Sequence, residues 1–213
     1  MDRQVSGGTD MKTPSTHQPS ALGTIDRREF VALLLSQTPD ALVITGLGSP
    51  TYDVYASGDK DRYFYLWGAM GGALPLGLGL ALAQPERPVL VITGDGEQLM
   101  GMGAMATAAA QQPKNLSVVV LDNGHFGETG MQRSHTSLGT RLVEVAKACG
   151  ISRAREVFQL SETTALAQDI NGRQGLLFAQ VHIKQEDLPR QLPTRDGTYL
   201  KNRIRMHLCH PLV

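Results

Sequence analysis

Two stretches of the sequence decide the fold: residues 88–96, PVLVITGDG, and residues 116–124, LSVVVLDNG. Each begins as an apolar run rich in Val, Leu and Ile and ends in a turn made of Gly, Asp and Asn. Uninterrupted apolar runs of this length are typical of strands that are buried on both faces, as in a parallel sheet. We therefore expect two parallel strands that each carry a polar turn at the carboxyl end.

The remaining segments alternate between helix and strand signals. The predicted strands cover residues 41–46 (ALVITG), 155–158 and 175–183. The predicted helices cover residues 27–36, 98–112 and 141–149, with one more within residues 66–83 and another beginning at Ser161. Such alternation predicts an α/β fold with a doubly wound, mainly parallel sheet and helices on both faces.

We expect three regions along the chain. Residues 1–24 are rich in Ser, Thr, Gly, Pro and Gln and lack the apolar core of a signal peptide, so they predict a flexible leader. Residues 25–184 carry all the predicted strands and are expected to form one domain. Residues 185–213 are expected to form a C-terminal tail that serves as an interface.

The composition of the 213 residues indicates a soluble globular protein, with 41% hydrophobic and 19% charged residues. Lys and Arg together number 20, and so do Asp and Glu, which leaves no basic surplus to neutralise nucleic-acid phosphates. Cys149 and Cys209 form no CxxC pair, so they exclude an iron–sulfur cluster or a zinc ribbon. These features predict a cytoplasmic protein that binds no nucleic acid.

Residues 66–83 form an uncharged stretch that has to be weighed as a membrane span. As a helix it would extend about 27 Å, which is near the lower limit for crossing a bilayer. It contains five glycines and Pro75, and a charged segment lies close before it. These features favour a buried loop followed by a helix, and no association with a membrane.

The two polar turns predict a site for a metal ion and phosphate groups. In a doubly wound sheet, ligands bind at the carboxyl ends of the strands, and on neighbouring strands Asp95 and Asn123 would lie about 5 Å apart. Their oxygens suit Mg²⁺, which usually shares its coordination with phosphates. Gly94 and Gly96 let the backbone approach such phosphates, and the following helix begins with free N–H groups. Taken alone, either tripeptide is more typical of an ordinary turn, but the two together, each at the end of a strand, are much more specific.

The spacing of the two turns resembles a known motif. The GDG turn around Asp95, followed by Asn123 28 residues later, is similar to the thiamine-diphosphate fingerprint of the decarboxylase and acetolactate synthase superfamily. The resemblance covers about residues 41–183 and implies that superfamily's diphosphate-binding domain, with thiamine diphosphate and Mg²⁺ as cofactors. It also implies that Asp95, Asn123 and the main-chain carbonyl of His125 bind the metal.

The resemblance extends upstream to residues 67–71, WGAMG. Met70 falls on the family position of the large apolar residue that enforces the bent shape of the cofactor, and the carbonyl of Gly68 falls where the aminopyrimidine is hydrogen-bonded. The other implied cofactor contacts are Gly48, Ser49, Gly94, Gly96, Glu97 and Gly127. Glu97 departs from the family pattern, because many relatives carry a small residue there. We expect its side chain to point away from the diphosphate while its backbone N–H still serves.

Residues 121–132, LDNGHFGETGMQ, are most similar to the sulfopyruvate and phosphonopyruvate decarboxylases. This resemblance implies the non-oxidative decarboxylation of a small 2-oxoacid to an aldehyde. The substrate would carry a sulfonate or phosphonate that backbone N–H groups, His125 or Arg133 could hold. Because it lies in the loop that would bind the cofactor, His125 is a candidate catalytic residue, and the alternative that only its main-chain carbonyl matters stays open.

The family also uses a glutamate from a pyrimidine-binding domain, for which the chain outside the expected domain is too short. The resemblance therefore implies a separate α-type subunit and a hetero-oligomer. Two alternatives stay open. One is the thiamine subunit of another 2-oxoacid enzyme, similar to acetolactate synthase or to a ferredoxin oxidoreductase. The other is a non-catalytic regulatory subunit that binds the cofactor.

Overall fold

A parallel sheet forms the centre of the part of the chain that the structure describes. This computed structural model describes residues 23–210, so most of the predicted leader lies outside the described residues. The strands in chain order are β1 (Leu42–Thr45), β2 (Tyr63–Tyr65), β3 (Val89–Gly94), β4 (Leu116–Asp122), β5 (His125–Phe126), β6 (Gln132–Arg133), β7 (Arg153–Val157) and β8 (Leu177–His182). Six of them form one sheet in the order β2-β1-β3-β4-β8-β7, with all neighbours parallel. β5 and β6 form a separate antiparallel pair.

Helices cover both faces of the sheet. In chain order they are α1 (Arg27–Gln37), α2 (Ser49–Ala56), α3 (Ala73–Ala83), α4 (Asp95–Met100), α5 (Ala104–Gln111), α6 (Leu142–Ala148), α7 (Thr163–Gly172) and α8 (Gly197–His207). Successive strand residues point to opposite faces. Val43 belongs to the buried cluster that contains residues of α1 and α7, and Leu42 to the cluster that contains residues of α3, α5 and α6. The predicted doubly wound sheet with two covered faces is therefore confirmed.

The predicted helix over residues 98–112 is wrong as a single element. The structure has two helices there, α4 and α5, which are separated around Gly101. The backbone of Gly101 packs directly on that of Gly71, and a Cβ atom on Gly101 would lie 2.4 Å from the main-chain oxygen of Gly71. The break therefore places the end of α4 against the segment that precedes α3.

Three elements, α2, β2 and α8, were not expected from the sequence. α2 begins directly after Gly48 and has Pro50 in its first turn, where a missing N–H costs no hydrogen bond. α8 packs against the edge strand β2, and Arg203 donates hydrogen bonds of 2.6 Å to Asp59 and to the carbonyl of Tyr63. Helical structure therefore continues beyond residue 184. The domain boundary and the interface role of the tail remain predictions.

No helix within residues 23–210 is long and apolar enough to cross a membrane. In the uncharged stretch of residues 66–83, the helical part is α3, and the residues before it are irregular. Ala73, Leu74 and Leu78 of α3 are buried against the sheet. The stretch is thus a loop followed by a packed helix, as its glycines indicated.

Candidate functional site

A cavity of about 330 Å³ opens at the carboxyl edge of the sheet, beyond the ends of β1, β3 and β4. Parallel strands end at the same edge, so the residues that follow them converge there. The predicted site residues that line the cavity are Ser49, Met70, Gly94, Asp95, Gly96, Glu97, Asn123, His125 and Gly127. Gly48 and Gly68 are not part of the lining.

The register of the sheet brings Asp95 and Asn123 to one place. β3 and β4 are neighbours, and Gly94 pairs with Leu121. The residues that follow, Asp95 and Asp122, therefore emerge side by side, and Asn123 comes one residue later. The expectation that the two turns lie on neighbouring strands is confirmed, and both predicted metal ligands line the same cavity.

Asp95 is a buried carboxylate, with 2% of its surface exposed. Burial, followed by the charge of Asp122, raises the pKa of Asp95 to about 7. Ser134 donates a short hydrogen bond to Asp95 Oδ2, and Thr136 Oγ1 lies 3.3 Å from the same oxygen. None of the ion pairs formed among residues 23–210 involves Asp95. A buried carboxylate without a basic partner is suited to hold a metal cation.

Buried polar side chains surround Asp95, and most of them could not be predicted from the sequence. Thr136 Oγ1 lies 2.8 Å from Asp122 Oδ1, and Ser134 Oγ lies 2.9 Å from Thr136 Oγ1. Gln180 Nε2 donates a hydrogen bond of 2.6 Å to Asp122 Oδ2. Only Gln180 gives a signal in the sequence, as a polar residue inside the apolar run LLFAQVHI. Together these contacts fix the orientation of both carboxylates.

Asn123 and His125 are held to each other by two local hydrogen bonds. The Asn123 Oδ1 atom accepts a hydrogen bond of 2.9 Å from the backbone N–H of His125. The His125 Nδ1 atom lies 2.8 Å from the main-chain oxygen of Asn123. Because a carbonyl oxygen can only accept, Nδ1 is the donor in this contact. Oδ1 of Asn123 keeps a second lone pair for a cation.

Glu97 ties two segments of the cavity wall together. Its Oε1 atom accepts a hydrogen bond of 3.2 Å from the backbone N–H of Ala73, the first residue of α3. Its Oε2 atom fills the space in front of Gly46, where a Cβ atom would lie only 1.6 Å away. The side chain is 3% exposed, and burial raises its pKa. The contact between the backbone of Glu97 and a phosphate remains a prediction.

Met70 lines the cavity from the segment between β2 and α3 and is 43% exposed. This segment is fixed from two sides, by the contact between Gly71 and Gly101 and by the hydrogen bond from Ala73 to Glu97. The backbone is therefore anchored while the Met70 side chain stays open to a ligand.

Charged side chains also lie at the cavity. Glu128 lines it, and Glu128 Oε2 lies 3.3 Å from Arg190 and 3.5 Å from the hydroxyl of Tyr52. Arg133, by contrast, is not part of the lining, and its Nε donates a hydrogen bond of 3.2 Å to Ser137 Oγ. The structure therefore does not place Arg133 where it was expected to meet a substrate anion.

The residues present fit a magnesium ion and a diphosphate. Residues 23–210 contain no group of three or more His, Cys, Asp or Glu side chains that could hold a metal ion. The predicted set relies instead on one carboxylate, one amide oxygen and one main-chain carbonyl, all of them the oxygen ligands that Mg²⁺ prefers. At Gly96, in the first turn of α4, a Cβ atom would lie 2.7 Å from the ring of Phe126, so a side chain there would force this ring to move.

Fold and site together define a class: a doubly wound α/β domain with its ligand cavity at the carboxyl edge of the sheet. Comparison with known proteins narrows this class. Residues 48–180 match the family described as "Thiamine pyrophosphate enzyme, C-terminal TPP binding domain". The chain therefore belongs to the thiamine pyrophosphate enzyme family, as its resemblance implied.

Similar proteins agree with this assignment. The sulfopyruvate decarboxylase subunit beta of Methanothermobacter thermautotrophicus is 41% identical over 160 residues, which cover 75% of this chain and 83% of that one. The phosphonopyruvate decarboxylase of Streptomyces hygroscopicus is 41% identical over 155 residues, which cover 72% of this chain but only 37% of the relative. Benzoylformate decarboxylase from Polynucleobacter necessarius has the same fold, with a TM-score of 0.67 and 19% sequence identity over 84% of this chain and 36% of that one.

Proposed function

We propose that the chain is the β subunit of a heteromeric 2-oxoacid decarboxylase of the sulfopyruvate or phosphonopyruvate type, and that it binds thiamine diphosphate and Mg²⁺. The reaction is a non-oxidative decarboxylation that yields an aldehyde, in the cytoplasm. The observation that carries this proposal is the buried carboxylate of Asp95, which has no ion-pair partner among the described residues and lines one cavity with Asn123.

The chain contributes binding and orientation to this reaction. Asp95, Asn123 and the main-chain carbonyl of His125 would hold the metal, and the backbone of Ser49 and Gly96 would contact the diphosphate. Thiamine diphosphate, when bound, supplies an electron sink for the carbanion that remains after CO₂ is lost. His125 lines the cavity, and the contact of its Nδ1 atom with the main chain of Asn123 holds its ring in place.

A partner subunit follows from the same proposal. Similar proteins include some named as subunit beta, which implies an alpha subunit in those enzymes. The phosphonopyruvate decarboxylase that matches this chain over 37% of its own length has further sequence outside the match. Met70 and Met100 line the cavity and are 43% and 66% exposed, which leaves apolar surface for a second subunit to cover.

The proposed substrate is a pyruvate with an anionic group on its third carbon. The names of the similar decarboxylases support this substrate class. Glu128 stands in the cavity wall and would repel such an anion if it were alone. Arg190 lies 3.3 Å from its carboxylate and offsets that charge.

Replacing Asp95 tests the proposed metal site. Asp95→Ala should abolish Mg²⁺-dependent binding of thiamine diphosphate and leave the fold intact, because the carboxylate that holds the cation is lost. Calorimetric titration of the full chain with thiamine diphosphate, with and without Mg²⁺, measures this effect. Glu128→Gln is the control, since it removes another cavity carboxylate that is not a proposed ligand. Unchanged affinity in Asp95→Ala would refute the site.

A further inference from the structure

Arg27 is a buried cation in the cavity wall that the site described above does not use. It is the first residue of α1, is 3% exposed and lines the cavity together with Ser49 and Ile183. Ile25 forms a parallel bridge with Ile183, whose backbone N–H donates a hydrogen bond to the carbonyl of Asp122. The start of α1 is therefore fixed beside the end of β4, where the proposed metal ligands begin.

The contact between Arg27 and Asp53 leaves part of the hydrogen-bonding capacity of the guanidinium unsatisfied. Arg27 Nε lies 3.4 Å from Asp53 Oδ2, and neither atom has a hydrogen-bond partner among the described residues. Arg28 makes the better contact with this carboxylate, because its Nε donates a hydrogen bond of 3.1 Å to Oδ1. Asp53 would therefore keep a cationic partner without Arg27.

The position of Asp53 directs Arg27 toward the beginning of α2. Asp53 follows Ser49 by four residues in this helix, so the two lie on the same side of it, one turn apart. Ser49 itself lines the cavity at the first turn of α2, where backbone N–H groups have no partner within the helix. Arg27 and these N–H groups thus form one electropositive side of the cavity.

The charges around the cavity indicate that the electropositive side formed by Arg27 is suited to an anionic ligand. Among the described residues that line the cavity, Arg27 is the one Lys or Arg side chain, whereas Asp95, Glu97 and Glu128 are carboxylates. An anionic ligand in such a cavity needs cations close to it. A guanidinium suits phosphate in particular, because its parallel N–H groups match two phosphate oxygens.

We propose that Arg27 binds the diphosphate of the cofactor from the α1 side of the cavity, and that Asp53 is the positioning residue that orients its guanidinium. This inference rests on the proposed function and deepens it. The anionic charge is then shared between two sides of the cavity. The metal ion held by Asp95 and Asn123 takes one side, and Arg27 takes the other.

The proposal is tested with Arg27→Gln in the full chain, and Arg28→Gln is the matched control. Both variants remove one arginine from Asp53, but Arg28 does not line the cavity. Calorimetric titrations with Mg²⁺ present use three probes: thiamine diphosphate, thiamine monophosphate and inorganic pyrophosphate. Arg27→Gln should weaken the binding of thiamine diphosphate and pyrophosphate by about tenfold to a hundredfold, the worth of a charge-assisted hydrogen bond. The affinity for thiamine monophosphate should fall by a smaller factor in Arg27→Gln. Arg28→Gln should change the affinity for none of the three probes by more than about threefold.

Arg27→Lys covers the case in which the glutamine variant does not fold. It keeps the charge and loses the paired N–H groups, so its affinity for pyrophosphate should lie between those of Arg27→Gln and the parent chain. Equal losses in Arg27→Gln and Arg28→Gln, or full affinity in Arg27→Gln or Arg27→Lys, would overturn the proposal. If the parent chain binds pyrophosphate through Arg27 but binds no thiamine diphosphate even after the α-type subunit is added, the proposed function fails while the anion site stands. If the parent chain binds neither probe even after the α-type subunit is added, both fail.

Discussion

Glu97 is a buried carboxylate in the cavity wall whose side chain is bound by the protein itself. A carboxylate at this position would repel a diphosphate if it faced it. In the structure Glu97 accepts a hydrogen bond from Ala73 at the start of α3 and fills the space in front of Gly46. Burying a carboxyl group is costly unless it is hydrogen-bonded. The residue therefore acts as a link between two segments of the cavity wall.

Asp53 should make the stability of the folded chain depend on pH. Burial raises its pKa to about 6, against the attraction of Arg27 and Arg28. Because the folded state then binds more protons than the unfolded state between about pH 4 and pH 6, the free energy of unfolding falls as the pH rises through this window. The full effect of the shift is about 3 kcal/mol. Urea unfolding at several pH values should show this slope in the parent chain and its loss in Asp53→Asn. Parallel stability curves for the two proteins would contradict the assignment.

At the scale of elements, the contact between α4 and the segment before α3 connects the fold to the site. Gly71 and Gly101 approach so closely that neither has room for a side chain, since a Cβ atom on Gly71 would lie 2.9 Å from Gly101 N. Met70 is the residue directly before this contact and lines the cavity. The break between α4 and α5 therefore positions Met70, the residue that the family resemblance assigns to the bent shape of the cofactor.

Gly101→Ala should disturb both stability and cofactor binding. The new methyl group would lie 2.4 Å from the carbonyl oxygen of Gly71, so the segment that carries Met70 has to move. We expect a loss of about 1–3 kcal/mol in the free energy of unfolding, typical of an overpacked contact, and weaker binding of thiamine diphosphate. Gly103→Ala is the control, because nothing lies within 4 Å of its Cβ position and its backbone is already helical. Thermal unfolding and calorimetry measure both effects, and equal results for the two variants would exclude the contact as their cause.

Elements with continuous apolar patterns could be predicted from the sequence, whereas those fixed by distant contacts could not. The strands β3 and β4 and the turns that follow them are local features, and they were sufficient to place Asp95 and Asn123 at one site. Ser134 and Thr136 reach Asp95 from 39 and 41 residues away, and no local pattern marks them. The hydrogen bonds of α8 to the edge of β2 span 140 residues and more. Such partners become visible only when the chain is folded.

At the scale of the whole molecule, the C-terminal segment links the cavity to the edge of the sheet. Trp67, which lies in the same segment between β2 and α3 as Met70, donates a hydrogen bond of 3.0 Å from its indole N–H to the carbonyl of Thr194. The guanidinium of Arg195 lies 5.1 Å from the centre of the Trp67 ring, and Arg190 pairs with Glu128 in the cavity wall. The C-terminal segment therefore contacts Trp67 and the cavity-lining Glu128. Under the proposed function, this segment would help to set the charge that an anionic substrate meets.

The proposed half-site predicts how activity depends on the partner subunit. The purified chain should release little or no CO₂ from a 2-oxoacid and should bind thiamine diphosphate weakly, because the proposed partner supplies the glutamate and the remaining cofactor contacts. Adding the α-type subunit should restore both. Robust CO₂ release by the chain, free of any co-purifying protein, would contradict the heteromeric arrangement.

Assays of the same reconstituted complex determine which 2-oxoacid is the preferred substrate. Sulfopyruvate, phosphonopyruvate, pyruvate and benzoylformate are compared in competition, and kcat/KM should be highest for sulfopyruvate and next for phosphonopyruvate. The preference should be large. A site built to bind the anionic group on the third carbon leaves its buried donors unpaired when the substrate lacks that group. Glu128→Gln serves as the internal control: it frees Arg190 from its carboxylate partner and should raise kcat/KM for the anionic substrates relative to pyruvate. A higher kcat/KM for pyruvate or benzoylformate in the parent complex would refute the substrate class and leave the cofactor site standing, since metal and diphosphate contacts are independent of the substrate's third carbon.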